Sequence, residues 1–205
     1  MEMTWDELKH CIKADLCRYD GGISARHWRH ALRFEPGFRL TLLMRLCRFT
    51  RLNPWLRWTL YVPLRLWFNR RSIQFMVFMD PMADIGPGLY LGHPFMVVIN
   101  RRVKIGRDCS IGHEVTLGIH NRGERRGCPE VGNRVYIGPG AKIFGAIKLG
   151  DGSAIGANAV VTRDLPENAV AAGIPARVIS YKGSADYATN TLVELERSQA
   201  GASAC

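Results

Sequence analysis

An aliphatic residue, usually followed by glycine, returns every six residues between Ile85 and Val161. A six-residue period fits neither an α-helix nor a simply alternating strand. It is typical of hexapeptide β-helices, in which each six residues form one flat side of a triangular coil. The aliphatic side chain points into the prism, and the glycine leaves room where the chain turns. We therefore predict a mainly β chain with a parallel β-helix at its centre.

Two irregularities interrupt this repeat. The register slips by two residues near 97–99, and Leu117 and Val131 lie 14 residues apart instead of six. The excess, residues 119–130, is expected to leave the prism as a loop, and loops on rigid scaffolds commonly carry binding functions. The expected parts are a basic amphipathic helical segment over 1–79, a β-helical domain over 80–182 and a flexible tail over 183–205.

The segment before the repeat carries most of the positive charge. Residues 1–72 hold 14 Lys and Arg against 6 Asp and Glu, and the whole chain has a net charge of +10. No acidic residue lies between Pro36 and Met79, where arginines are interleaved with aromatic and aliphatic residues. This one-signed charge favours an anionic surface as a partner.

Local signals predict helices in this basic segment. Thr4 and Glu7 are spaced as a capping box at the start of a helix over 4–17, and a second short helix follows. Amphipathic helices, broken at Pro54 and Pro63, come next.

Two interpretations of the basic segment stay open. In the first, residues 36–72 lie in the headgroup plane of an anionic membrane, at the cytoplasmic face of the inner membrane. In the second, the same helices form a cap that packs on the β-helix or on a sister subunit. No recognition motif accompanies the charge, so nucleic acid is not an expected partner.

The cysteine and histidine spacings do not match the common zinc motifs. None of the six cysteines forms a CxxC pair, and no histidine cluster has zinc spacing. We therefore expect reduced thiols and no metal. The N-terminus lacks the apolar core and the cleavage site of a signal peptide, so a cytoplasmic location is predicted.

The C-terminal half of the repeat carries a family resemblance. Residues 138–178 read GPGAKIFGAIKLGDGSAIGANAVVTRDLPENAVAAGIPARV, which resembles hexapeptide acyltransferases of the serine acetyltransferase type. The stretches LGHPFMVVIN (91–100) and GCPEVGN (127–133) are most similar to polysaccharide O-acetyltransferases such as the colanic acid enzyme. The resemblance covers about 80–180. It implies a left-handed β-helix, a homotrimer, and acetyl-CoA as co-substrate in the groove between neighbouring prisms.

Two histidines are the leading candidates for a general base, because histidine titrates near neutral pH. His93 comes first, since it matches the catalytic histidine of serine acetyltransferases, and His113 comes second. Counting from Leu91 and Ile111 puts them on one corner of consecutive coils, so stacked imidazoles about 4.8 Å apart are expected. A structural histidine ladder is the alternative interpretation.

The match to serine acetyltransferases has gaps. The family's orienting carboxylate corresponds to Phe78 here, and Asp80, on the same side of an extended strand, is the expected substitute. The family's Arg-His-Pro, which helps to hold serine, corresponds to Gly127-Cys128-Pro129. The residues expected in the substrate loop are His120, which is the third candidate base, Asn121, Arg122 and Cys128.

The resemblance also implies positions for CoA. Pro139 and Ala157 match corner positions along the pantetheine groove, and Pro139 lacks an N–H, so its carbonyl or Gly140 must serve. The residues expected near the nucleotide are Thr162, Arg163 and Arg177, with Lys182 as a further candidate.

These gaps favour a sugar hydroxyl over serine as the acceptor. The expected function is therefore acetyl-CoA-dependent O-acetylation of a bacterial surface polysaccharide or its lipid-linked repeat unit. Serine O-acetyltransferase is the first alternative, and a non-catalytic β-helical scaffold is the second. A zinc hydratase with this fold would need three converging histidines, which the spacing does not supply.

Overall fold

The computed structural model describes residues 3–195 and 197. The first part of the chain is helical, and the second part consists mostly of short strands. The helices of the first part are α1 (Trp5–Asp20), α2 (Ala25–Phe34), α3 (Pro36–Leu52), α4 (Pro54–Arg57) and α5 (Tyr61–Phe75). A chain with this much helix is mixed in class, so the "mainly β" expectation holds only for the residues after Phe75.

Local sequence explains where these helices begin and end. The predicted capping box is confirmed, because the Thr4 hydroxyl accepts a hydrogen bond from the Glu7 N–H and the Glu7 carboxylate accepts one from the Thr4 N–H. Pro54 starts α4, as expected. The predicted break at Pro63 is wrong, because this proline lies in the first turn of α5, where a missing N–H costs nothing.

The strands form the three sides of a triangular β-helix. Sheet A contains β1 (Phe78–Met79), β4 (Val98–Ile99), β7 (Thr116–Gly118), β10 (Lys142–Phe144) and β13 (Val160–Val161). Sheet B contains β2 (Asp84–Ile85), β5 (Lys104–Ile105), β8 (Glu130–Val131) and β11 (Lys148–Leu149). Sheet C contains β3 (Tyr90–Leu91), β6 (Ser110–Ile111), β9 (Tyr136–Ile137), β12 (Ala154–Ile155), β14 (Val170–Ala172) and β15 (Arg177–Ser180).

The six-residue repeat determines how the coils stack. Ile85 pairs with Ile105, Ile105 with Val131 and Val131 with Leu149, all in parallel register and all buried. The predicted inward-facing aliphatic column is therefore confirmed. The exception to parallel pairing is β15, which runs antiparallel to β14 and ends the prism.

A buried ion pair fastens the helices to the first coil. The Arg45 guanidinium contacts the Asp15 carboxylate at 2.9 Å and donates to the carbonyls of Ile85 and Gly86. One Asp15 carboxylate oxygen also accepts the backbone N–H groups of Gly88 and Leu89, each at 2.9 Å. Burial alone would lower the pKa of the Arg45 guanidinium, but the Asp15 carboxylate raises it above its ordinary value.

Arginines of the basic segment therefore point into the molecule as well as out of it. Arg48 donates to the Ala83 carbonyl at 2.5 Å, and Arg18 donates to the Ser110 hydroxyl at 2.5 Å. These contacts match the cap interpretation for α1 and α3. No helix in the described part of the chain combines the length and the apolar character needed to cross a bilayer.

The start of the predicted C-terminal tail is packed, which differs from the expected loose attachment. Ser184, Ala188 and Thr191 are buried, and the Tyr187 ring stacks on Tyr136 with centroids 4.2 Å apart. Arg18 donates to the Thr189 carbonyl at 2.5 Å. These contacts link distant parts of the sequence, which a reading of local composition does not detect. Residues 196 and 198–205 of the predicted tail lie outside the described residues.

Candidate active site

The corner where the chain passes from sheet C to sheet A, called the CA corner, carries His93. Between β3 and β4 this corner has six residues, 92–97, whereas the next coil has four, 112–115. The longer turn contains two residues with left-handed backbone, His93 at φ 52° and Met96 at φ 54°. Such a conformation is uncommon for residues other than glycine. The His93 side chain is exposed, and it has no hydrogen bond to another described residue.

The predicted stacking of the His93 ring on the His113 ring is wrong. Both residues lie at a CA corner, but they do not occupy equivalent positions in consecutive coils. The Glu114 N–H donates to the Phe95 carbonyl, and one coil further on, the Gly140 N–H donates to the His113 carbonyl. These equivalent bonds put Phe95, rather than His93, at the coil position that matches His113. Counting from Leu91 gave the wrong equivalence because the two extra residues of this corner lie between β3 and Phe95.

Asp80 and His93 lie at different corners of the prism. Asp80 follows β1, where the chain passes from sheet A to sheet B, whereas His93 precedes β4, the strand that pairs with β1. The Asp80 Oδ1 atom accepts the Met82 N–H at 2.8 Å in a local turn. Phe78, two residues earlier, is exposed on the outer face of sheet A and pairs with Val98.

Two of the residues predicted to contact CoA lie at corner positions equivalent to that of His113, on later coils. Pro139 occupies the equivalent corner position one coil later, because its carbonyl accepts the Asn158 N–H at 2.8 Å. Ala157, directly before Asn158, is exposed at the next corner. The Gly140 N–H is already bonded to the His113 carbonyl, so it is not the free donor that the sequence suggested.

The predicted nucleotide contacts are distributed over different corners. Thr162 and Arg163 are exposed where sheet A passes to sheet B, and Arg177 is exposed at the start of β15. Lys182 is brought instead to the corner between sheets B and C, beside Arg134 and Asn168. Lys182 therefore lies on a different edge of the prism from Pro139 and Ala157, because β15 turns back along sheet C.

A loop over 119–129 joins β7 to β8 and closes at its base, and Glu130, which was expected in the loop, belongs to β8. His120 and Gly127 exchange two backbone hydrogen bonds, each 2.9 Å long. The Arg125 guanidinium donates to the Thr162 carbonyl at 3.1 Å, which attaches the loop to a later coil. Asn121 and Arg122 are exposed at the loop tip.

Cys128 behaves as a structural thiol. Its side chain is partly buried and packs against the core of the prism. Burial raises the pKa of the Cys128 thiol above its ordinary value, and the positive charge of Arg102 offsets this only in part. The thiolate is the reactive form of cysteine, so this environment disfavours a nucleophile.

A groove between α5 and sheet A was not predicted from the sequence. Arg65, Asn69 and Ser72 line it from the helix. Their spacing of four and then three residues puts them on one face of α5, and this was the available signal. In the described part of the chain, no group of three or more His, Cys, Asp or Glu side chains is arranged to hold a metal ion.

Comparison with known proteins agrees with the fold and the repeat. The family model described as "Bacterial transferase hexapeptide (six repeats)" matches residues 129–163. A serine acetyltransferase of Helicobacter pylori (strain J99) is 47% identical over 100 residues, which cover 49% of this chain and 58% of the relative. The chain thus spans less than two thirds of the length of that curated relative.

Solved structures extend the match into the helical part. Serine acetyltransferase from Brucella abortus strain S19 superimposes with a TM-score of 0.71 at 30% identity, covering 87% of this chain and 71% of that chain. A structure of the Brucella abortus enzyme in complex with coenzyme A gives a TM-score of 0.71 at 30% identity, with coverages of 87% and 70%. The three parallel sheets and these neighbours fit a left-handed β-helix.

By fold and by repeat, this chain is a hexapeptide-repeat transferase. It belongs to the serine acetyltransferase family, because it covers more than two thirds of a solved member at 30% identity. The expected polysaccharide acceptor is therefore wrong, since these relatives and neighbours are serine acetyltransferases. The departures at Phe78 and at Gly127-Cys128 therefore do not remove the chain from this family.

Proposed function

We propose that this protein transfers the acetyl group of acetyl-CoA to the hydroxyl of L-serine. Family membership supports the reaction class, and the serine acetyltransferase relatives support the acceptor. The observation that carries the proposal is the exposed His93 on an enlarged corner, at the position that matches the catalytic histidine of the family. Within this proposal, His93 is the catalytic residue.

The chemistry assigned to His93 is general base and then general acid catalysis. A neutral ring nitrogen takes the proton of the serine hydroxyl while its oxygen attacks the thioester carbonyl. The tetrahedral intermediate collapses with loss of CoA, whose sulfur receives the proton from the imidazolium. No covalent enzyme intermediate is needed, which is consistent with a raised pKa of the Cys128 thiol.

We propose that CoA lies along the CA corners of later coils. The Pro139 carbonyl and the backbone of the exposed Ala157 are the candidate partners for pantetheine, and Arg177, at the start of β15, is the candidate cation for the phosphates. The groove would lie between neighbouring prisms of a homotrimer, as in the family resemblance. A cytoplasmic location stays a prediction.

An assay of CoA thiol release tests the proposed reaction. The full chain is incubated with acetyl-CoA, with and without L-serine, and the product is identified by mass spectrometry. We expect thiol release that depends on L-serine and yields O-acetyl-L-serine. Thiol release that does not depend on serine, or a complete lack of release, would contradict the proposal.

We also propose that the outer face of α4 and α5 contacts an anionic membrane surface. Trp55 and Trp58 are 87% and 81% exposed, and Leu66 is 64% exposed. Arg57 and Arg70 lie exposed on the same helices, and no acidic residue occurs between Pro36 and Met79. Self-pairing of this face would bring arginines together, whereas anionic headgroups complement them.

Flotation with vesicles of phosphatidylglycerol and phosphatidylcholine tests the membrane proposal. We expect the wild-type protein to float with the anionic vesicles at low salt, and the double variant Trp55→Ser/Trp58→Ser to stay in the lower fraction. Tyr181→Ser removes an aromatic side chain that is 67% exposed after β15 and serves as the control. A wild-type protein that does not float, or that self-associates through this face, would exclude a membrane contact.

A further inference from the structure

The strand that leads to His93 lies at an open edge of the prism. In sheet C, β3 pairs with β6 on one side and has no strand on its other side among the described residues. The N–H groups of Tyr90 and Gly92 donate to carbonyls of the next coil. Because neighbouring residues of a strand direct their N–H groups to opposite sides, the Leu91 N–H faces the open side.

Two helices take the place of a preceding coil at Leu91. The Leu91 N–H donates to the Tyr19 hydroxyl of α1 at 3.3 Å. On α3, a Cβ atom added to Gly37 would lie 2.4 Å from the Leu91 carbonyl oxygen and 2.5 Å from the Tyr19 hydroxyl oxygen. The glycine therefore lets α3 approach both the strand and Tyr19 more closely than a larger residue could.

The ring of Tyr19 supports the same strand from its outer face. The centroids of the Tyr19 and Tyr90 rings lie 4.8 Å apart. The Tyr90 ring in turn lies beside Gly92, where an added Cβ atom would be 3.1 Å from Cε1 of the ring. Since Gly92 directly precedes His93, the contacts of Tyr19 reach the strand within two residues of the histidine.

The chain is held again directly after the enlarged corner. The Met96 N–H donates to the Phe75 carbonyl, at the end of α5, at 3.2 Å. The Phe78 N–H donates to the Val97 carbonyl at 2.8 Å as the chain continues into sheet A. Between these contacts and those of Tyr19, His93 is exposed and has a left-handed backbone. The position of its imidazole therefore depends on where the two flanks of the corner are held.

We infer that Tyr19 is a positioning residue for the general base His93. Its hydroxyl fixes the Leu91 peptide, and through Gly92 this contact sets the position of the imidazole. The inference rests on the proposed function, because it takes His93 as the base. Burial raises the pKa of the Tyr19 hydroxyl well above its ordinary value, so the hydroxyl stays neutral at the pH of the assay.

Steady-state kinetics of Tyr19→Phe, which loses the hydroxyl and keeps the ring, test this role. We expect kcat for O-acetyl-L-serine formation to fall about tenfold with KM for acetyl-CoA unchanged, because moving a catalytic group by about 1 Å can cost about 10²-fold. The control is Tyr187→Phe, which removes a hydroxyl from the ring stacked on Tyr136 of the same sheet. Gly37→Ala is a second test that keeps the hydroxyl, since its Cβ would displace the Leu91 carbonyl.

A double-mutant cycle with His93→Ala separates positioning from a general loss of structure. If Tyr19 acts through His93, adding Tyr19→Phe to His93→Ala should change the residual kcat by less than about twofold. A loss of kcat that is equally large in the presence and in the absence of His93 would overturn the inference. Equal effects of Tyr19→Phe and Tyr187→Phe on kcat would also overturn it.

A spectroscopic measurement tests the inference without turnover. In proton–carbon correlation spectra of the protein with labelled histidine, the His93 Cε1–Hε1 signal is assigned by its loss in His93→Ala. We expect Tyr19→Phe to shift or broaden this signal and Tyr187→Phe to leave it unchanged.

The two proposals fail in different ways. A His93 signal that responds to Tyr19→Phe in a protein that forms no O-acetyl-L-serine would reject the proposed reaction and keep the contact between Tyr19 and the corner. Formation of O-acetyl-L-serine with an unchanged kcat and an unchanged His93 signal in Tyr19→Phe would keep the reaction and reject the positioning role.

Discussion

Two consecutive CA corners of the prism look alike in sequence and differ in structure. The corner over 92–97 and the corner over 112–115 each begin with a glycine that follows an aliphatic residue, and each has a histidine two positions after that aliphatic residue. The shorter corner keeps its histidine within the regular ladder, where the His113 carbonyl accepts the Gly140 N–H. The longer corner adds a second left-handed residue, and this residue is His93 itself. The corner with the insertion thus carries an exposed histidine, whereas the regular corner carries a partly buried one.

The two corners also differ in what supports them. The strand that leads to His93 is supported by the helices, because Asp15 accepts the N–H groups of Gly88 and Leu89, and the Tyr19 hydroxyl contacts the Leu91 N–H at 3.3 Å. A Cβ atom on Gly37 would lie 2.4 Å from the Leu91 carbonyl oxygen, so α3 approaches this strand closely. The corner over 112–115 instead lies between coils on both sides. The strand that leads to His113 also receives a contact from the helices, because Arg18 donates to the Ser110 hydroxyl. More such contacts reach the strand that leads to His93.

The largest effect on the support of the His93 corner by the helices is expected from Asp15→Ala. The change leaves the buried Arg45 guanidinium without its carboxylate, which costs about 3–5 kcal/mol of unfolding free energy. Asp6→Ala, on the same helix, removes an exposed ion pair with Lys9 and should leave the unfolding midpoint nearly unchanged. Urea unfolding of both variants measures the effect, and equal midpoints would contradict the role of the pair as an anchor.

A smaller effect is expected from His113→Ala. Because the backbone of His113, rather than its ring, takes part in the ladder, kcat for the proposed reaction should fall by less than about tenfold. Steady-state kinetics with L-serine and acetyl-CoA provide the measurement. A loss of about 10³-fold would make His113 the base and would reverse the comparison between the corners.

The smallest effect is expected from Cys128→Ser in the substrate loop. Burial raises the pKa of this thiol, so the thiol form predominates at neutral pH and no nucleophile is lost. We expect kcat to stay within about twofold of the wild-type value. A burst of covalently acetylated protein in the wild type that is missing from Cys128→Ser would contradict a structural role for the thiol.

The prism could be predicted from the sequence because a pattern of neighbouring residues determines each of its sides. Each inward residue from Ile85 to Val161 follows the same six-residue rule, so one register fixes most of the coils. The slip near 97–99 was visible too, but the sequence does not say on which side of the turn the two extra residues lie. In the structure the two extra residues precede Phe95, so Phe95, rather than His93, occupies the position equivalent to His113.

The features that escaped prediction depend on contacts between distant residues. Asp15 and Arg45 are both charged, and nothing local indicates that they are buried together against Ile85. Tyr187 stacks on Tyr136 from a stretch that reads as a polar tail. Similarly, the groove joins Arg65 on a helix to Asp80 at the end of a strand. Sequence spacing gives the face of one element, but not the element that packs against it.

The most direct test of the account compares His93→Ala with the wild type in the formation of O-acetyl-L-serine from acetyl-CoA. We predict that kcat falls by about 10²–10⁴-fold, the usual contribution of a general base, while KM for acetyl-CoA and the circular dichroism spectrum stay unchanged. A variant that kept the wild-type kcat would contradict the assignment of His93 as the general base displayed by the enlarged corner.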